Sequence, residues 1–181
     1  MIANHKSLRM QAIDLMTHLD WSPAQLAKEV GIDRQSVWRY LEGHHDAGSA
    51  KAEQMLEALQ DAASVTFVLD LPPVFAHNTG HWRTKSKKIK SMRAEAAAAC
   101  KKQKPFGKAT VYYDFFFPDR RVRDEANYIH GCKPYMDGLV DGGFIKDDRW
   151  TFLSTGGTTS RVSKAKPRVE ITLLPTHPMQ G

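Results

Sequence analysis

Cysteine is scarce in this chain of 181 residues: Cys100 and Cys132 are the whole supply, they form no CxxC pair, and one bridge is the most they could make. Such usage excludes a disulfide-stapled scaffold and fits reduced thiols in a cytosol. Long apolar runs are missing too. No stretch approaches the ~18 residues of a membrane helix, so nothing is expected to span a bilayer. The opening MIANHKSLRMQAIDLM places Asp14 and other polar residues where an export signal needs an unbroken apolar run, and the expected location is the cytoplasm. Acid is nearly absent between Arg83 and Lys108. There Glu95 stands alone against Arg83, Lys85, Lys87, Lys88, Lys90, Arg93, Lys101, Lys102, Lys104 and Lys108.

What is present is 41% hydrophobic and 25% charged, with a formal net charge of +6 that favours an anionic partner. The charge is unevenly spread. Up to about Gln60 the acids slightly outnumber the bases, so the electrostatic footprint belongs to the later part of the chain. The plain alternative for the basic run is a solvated helix face. The length lies between one and two ordinary domains, and the local pattern changes once. AIDLMTHL, AQLAKEV, SVWRYL and AEQMLEAL space their apolar residues as helices do. From Ser64, SVTFVLDLPP, ATVYYDFFFPD and PRVEITLLP read as three strands, with a helix over the alanine-rich SKKIKSMRAEAAAACKK and another over residues 128–140. The expected class is α+β, a mixed sheet with helices over residues 64–176, preceded by a small all-α domain over residues 1–61.

In WSPAQLAKEVGIDRQSVWRYLEG the punctuation is that of two short helices. Ser22 can N-cap the first with Pro23 at its first position, Gly31 supplies a turn, and Asp33 can cap the second, which ends at Gly43. Ala27, Val30, Ile32, Val37 and Leu41 fall where the helices would pack, and Trp21, Trp38 and Tyr40 are expected in or against that core. The pattern resembles the Cro/C1-type helix-turn-helix. The resemblance implies that Arg34, Gln35, Ser36 and Arg39 face the major groove, where Gln and Arg can bond base edges. Protein contact through a small bundle is the competing reading.

The stretch FFFPDRRVRDEANYIHGCKPYMDGLVDGGFIKDDRW runs from an aromatic strand through an irregular helix to the Asp147-Asp148 pair. Carboxylates from separate elements could meet there. Phosphodiester hydrolysis uses such groups, because carboxylate oxygens hold hard Mg²⁺ ions that activate water and offset charge building on phosphate. A nearby lysine can act on the same charge.

Arg120, Arg121 and Arg123, followed by Asp124, Asn127, Lys133, Asp137-Gly138-Leu139 and Asp147-Asp148, resemble the signature of the RusA family of Holliday junction resolvases. The resemblance extends from about Val65 to Leu173, with a longer spacing from Asp124 to Lys133. It implies a Mg²⁺-dependent homodimer that resolves four-way junctions by paired nicks, encoded by a phage or prophage. By the same resemblance Asp124, Lys133, Asp147 and Asp148 are catalytic, and Asp124, Asp137, Asp147 and Asp148 hold the metal. Arg83, Lys85, Lys87, Lys88, Arg120, Arg121 and Arg123 join Arg34, Gln35, Ser36 and Arg39 as DNA contacts.

One departure stands out. Ala126 occupies the place of the family's second aspartate, so either Glu125, Asp137 or Asp147 completes the metal shell or the site is weakened. The first outcome makes the chain a structure-selective endonuclease; the second makes it a catalytically weakened DNA-binding or regulatory protein. His130 is a secondary candidate for a general base. His77, Asn78 and His81, in the loop after the first strand, are secondary candidates for DNA contact.

Overall fold

Helical apolar spacing gives way to alternation near Ser64, and the computed structural model follows that change; it describes residues 5–44, 49–73 and 82–178. His77, Asn78 and His81 lie outside the described residues. The chain divides into two compact units, Met1–Ser64 with Leu174–Gly181, and Val65–Leu173.

Among its described residues the first unit carries four helices, α1 (His5–Leu19), α2 (Pro23–Val30), α3 (Arg34–Leu41) and α4 (Ser49–Ala63). Ser22 accepts a bond from the Gln25 amide, while the Gln25 side chain bonds back to the Ser22 amide at 2.7 Å. Two amide groups left over by the first helical turn are thereby satisfied. Gly31 ends α2 at φ 67, a conformation that is cheap only without a β-carbon. Asp33 then caps α3 through the Ser36 amide. Leu8, Ala12, Leu15 and Met16 of α1 share one buried face with Leu26, Ala27, Val37, Tyr40, Met55 and Leu59. Val30, Ile32, Leu41 and Trp21 pack against that core from its rim. Trp38 departs from expectation: with Val37 and Tyr40 turned inward, the helical turn sends Trp38 outward, 47% exposed, its ring 5.5 Å from that of His44.

The second unit is built on one mixed four-stranded sheet, β1 (Val65–Asp70), β2 (Phe106–Phe117), β3 (Leu153–Val162) and β4 (Arg168–Pro178), in the order β1-β4-β2-β3. β1 and β4 are antiparallel; β2 and β3 are parallel. Alternate residues of β2, namely Ala109, Val111, Tyr113, Phe115 and Phe117, are buried with Phe67, Leu69, Val169 and Ile171. α5 (Trp82–Cys100) and α7 (Lys133–Asp141) supply Met92, Ala96, Tyr135 and Leu139 to the same core. Cys100 and Cys132 are buried in it as free thiols. Burial pushes both thiols up, that of Cys132 to about 12.

Two expectations need correction. Three strands were expected, and β3 is a fourth. Its sequence, LSTGGTTSRV, pairs along β2 while staying largely exposed, so it carries little of the apolar alternation by which strands are recognised. The single helix expected over residues 128–140 is two, α6 (Glu125–Gly131) and α7. Pro134 brings no amide hydrogen to continue the ladder, and the chain turns at Cys132 between them. Gly131 is required there, because a β-carbon would lie 2.9 Å from the Pro73 carbonyl oxygen.

Candidate active site

Lys133 stands at the start of α7, and Asp137 lies one turn further along the same face. The Lys133 ammonium donates to Asp137 Oδ1 at 2.7 Å and to Asp148 Oδ2 from the loop before β3. Residues from two separate elements thus converge on one point. Desolvation lowers the affinity of Lys133 for its proton, but the bonds to Asp137 and Asp148 outweigh it and the net shift is upward. At neutral pH Lys133 is a cation and no base.

The pair Lys133 and Asp148 lines a cavity of about 450 Å³, together with His130, Arg149, Tyr113 and Thr155. His130 is exposed at the end of α6. Arg149 was not among the expected site residues. Its only signal in the sequence is adjacency to Asp147-Asp148, and its guanidinium bonds Asp147 at 2.7 Å. The Arg149 amide also donates to Asp147, at 2.9 Å. That backbone bond, with the guanidinium, holds the Asp147 carboxyl below its ordinary range.

Asp124 is engaged at the start of a helix. Its Oδ1 accepts from the Ala126 amide and its Oδ2 from Asn127 Nδ2, both at 3.0 Å, so it caps α6. Ala126 and Glu125 are exposed, and Glu125 accepts from Ser160 Oγ at 2.9 Å. The four aspartates expected at the metal are therefore divided. Asp137 and Asp148 meet through Lys133, Asp147 is joined to Arg149, and Asp124 is joined to its own helix. Among the described residues no group of three or more His, Cys, Asp or Glu could hold a metal ion.

Around this centre α5 presents the basic run. Arg83, Lys85 and Lys87 are exposed; the Arg83 guanidinium sits 5.4 Å from the Trp82 ring centroid, and Lys88 pairs with Asp70 at 3.8 Å. Arg93 is held by both oxygens of Asp141 and lies 4.0 Å from Asp137. Arg120 and Arg121 are exposed, whereas Arg123 is turned inward, 4.4 Å over Phe117 and bonded to Asp119 at 2.8 Å. In the first unit Arg34, Gln35 and Arg39 are exposed on α3 beside Trp38, and Ser36 is half-buried. No helix among the described residues is long and apolar enough to cross a membrane.

Neither a protein-family model nor a curated protein matches this chain.

Proposed function

We propose that the chain is a Mg²⁺-dependent, RusA-type endonuclease that nicks branched DNA as a homodimer, with a Cro/C1-like helix-turn-helix formed by α2 and α3. The observation that carries the reading is the meeting of Asp137 and Asp148 on the Lys133 ammonium at a cavity that also holds His130 and Arg149. Mg²⁺ is commonly held through one or two carboxylates, with water and phosphate oxygens completing its shell. Asp137 and Asp148 fit that habit as a half-buried pair from two elements. Bound there, the ion would polarise the scissile phosphate and acidify a water molecule.

In hydrolysis the oxygen of water joins phosphorus, one P–O ester bond breaks, and the departing oxygen leaves as a hydroxyl. Lys133, kept protonated, offsets charge on the non-bridging phosphate oxygens. Arg149 presents a second cation to the same cavity, and its bond to Asp147 fixes its direction. His130 is the imidazole of the cavity lining and stands as the candidate general base.

A second reading has its own support: a DNA-binding protein that does not cut. Asp124 is engaged as a helix cap, Asp147 is paired with Arg149, and Ala126 offers no carboxylate. One assay separates the two. The full chain is incubated with Mg²⁺ and labelled four-way junctions or linear duplex. Paired nicks in the junction alone, lost in Asp148→Asn, support the nuclease. Junction binding without nicks supports the second reading, and neither binding nor cleavage overturns both.

A further inference from the structure

The parallel pairing of β2 with β3 brings their ends to the same edge of the sheet, with Phe117 opposite Val162 and the Ser163 amide bonded to the Phe117 carbonyl at 2.7 Å. The start of β4 comes to that edge as well. Arg168 lies 3.6 Å over the Phe116 ring, and Arg161, from β3, approaches the same ring at 6.0 Å. Two basic runs far apart in sequence are thereby collected, Arg120 and Arg121 after β2, and Arg161, Lys164, Lys166 and Arg168 around the β3–β4 turn. The segment RVSKAKPR contains no acid. Arg168 is engaged by Glu170 at 2.7 Å, and Arg121 is 3.7 Å from Asp119. Among the described residues no ion pair takes Arg120, Arg161, Lys164 or Lys166, and the last two are exposed.

We propose that this end of the sheet binds the phosphate backbone of a DNA arm leaving the cavity. The proposal rests on the nuclease reading of the Lys133–Asp148 site. Val111 and Tyr113 line the cavity and Phe117 ends the strand, so the separation along β2 is roughly 13 to 20 Å at about 3.3 Å per residue. At 3.4 Å per nucleotide along a DNA strand, contact falls about four to six base pairs from the phosphate under attack. A group of cations at that distance suits a polymer with regular negative charge. It acts on the arm and leaves the branch point to the cavity.

The test uses the full chain carrying Lys164→Glu and Lys166→Glu, folding checked by circular dichroism. Binding is followed by fluorescence anisotropy over a salt series. One junction has arms of twelve base pairs and the other arms of three. On the long-armed junction affinity should fall at least tenfold, and the slope of log K against log salt should shrink by about 0.9 for each phosphate no longer neutralised. On the short-armed junction the two proteins should bind alike. Unchanged binding to both junctions overturns the inference and leaves the nuclease reading standing; equal weakening on both overturns the placement along the arm. Wild-type protein that binds neither junction overturns both readings. Displacement by polyglutamate at lower concentration than by duplex DNA overturns the inference by assigning the surface to an acidic protein.

Discussion

Asp124 is read one way in the sequence and another in the structure, and one pair of substitutions tells them apart. Asparagine caps helices about as well as aspartate, whereas alanine costs about 1 kcal/mol. Asp124→Ala should therefore lower stability to urea by about that amount, and Asp124→Asn should leave it unchanged. If Asp124→Asn also cuts junctions at the wild-type rate, its role is to start α6. Lys133 permits a second test. Lys133→Ala should lower turnover more than affinity, because one cation is a small part of a multi-phosphate interface but acts at the reacting group. Its raised pKa fixes the sign of the pH effect. The contribution of Lys133 to stability is complete below its unfolded value of about 10.4 and fades as pH rises through the folded one. Below pH 10 the wild-type rate should therefore show no fall traceable to Lys133; a basic limb there that vanishes in Lys133→Ala would contradict its assignment as a permanent cation. Lys133, Asp137 and Asp148 were legible as candidates through the family resemblance, which names residue types that suit phosphate chemistry. The orientation of Arg123 toward Phe117 was not, since nothing local in PDRRVRD distinguishes three arginines from one another.

At the scale of elements, α5 and α7 explain the alanine run and the Asp137-Gly138-Leu139 triplet together. A β-carbon on Gly138 would lie 2.4 Å from the Arg93 carbonyl oxygen and 2.9 Å from Ala96 Cβ. At Gly142 it would lie 2.3 Å from Cys100 Sγ. Small side chains let the helices approach closely, which places Arg93 against Asp137 and Asp141 on the flank of the site. Gly138→Ala should consequently destabilise the second unit by about 1–3 kcal/mol, as overpacking does, measured as a lowered urea midpoint. A variant as stable as wild type would show that the helices can separate freely. The helix signal of α5 was plain in the sequence. β3 was not, because an edge strand rich in Gly, Ser and Thr has no buried face of its own to announce it. The register shift between Val111 and Tyr112 leaves Gly156 as the extra residue, where a small one is needed. A β-carbon at Gly156 would lie 2.4 Å from the Tyr112 ring.

For the whole molecule, the change of pattern near Ser64 was legible because helical spacing stops and alternation begins at one point. The gathering of basic residues at one sheet edge was not, since it depends on strand order. The two units also divide the proposed labour, and that division can be measured. Gln35→Ala and Arg39→Ala should weaken any preference among duplex sequences, removing about 1–3 kcal/mol of discrimination for each bidentate bond to a base. They should leave the salt dependence of junction binding nearly intact. Equal weakening on all sequences would place α3 against the phosphate backbone.

The position of the two cysteines gives the second unit a chemical clock. Both thiols lie in the core of Val65–Leu173 and neither lies in the four-helix unit. An alkylating reagent needs an exposed thiolate, and burial denies it both exposure and charge. Modification under native conditions should thus proceed only as that core opens, at a rate set by its local unfolding. Mass spectrometry after timed alkylation would read the lifetime of the sheet unit alone, without a label or a substitution, and Gly138→Ala should shorten it. Alkylation of native protein as fast as a free peptide thiol would show that the core is not closed.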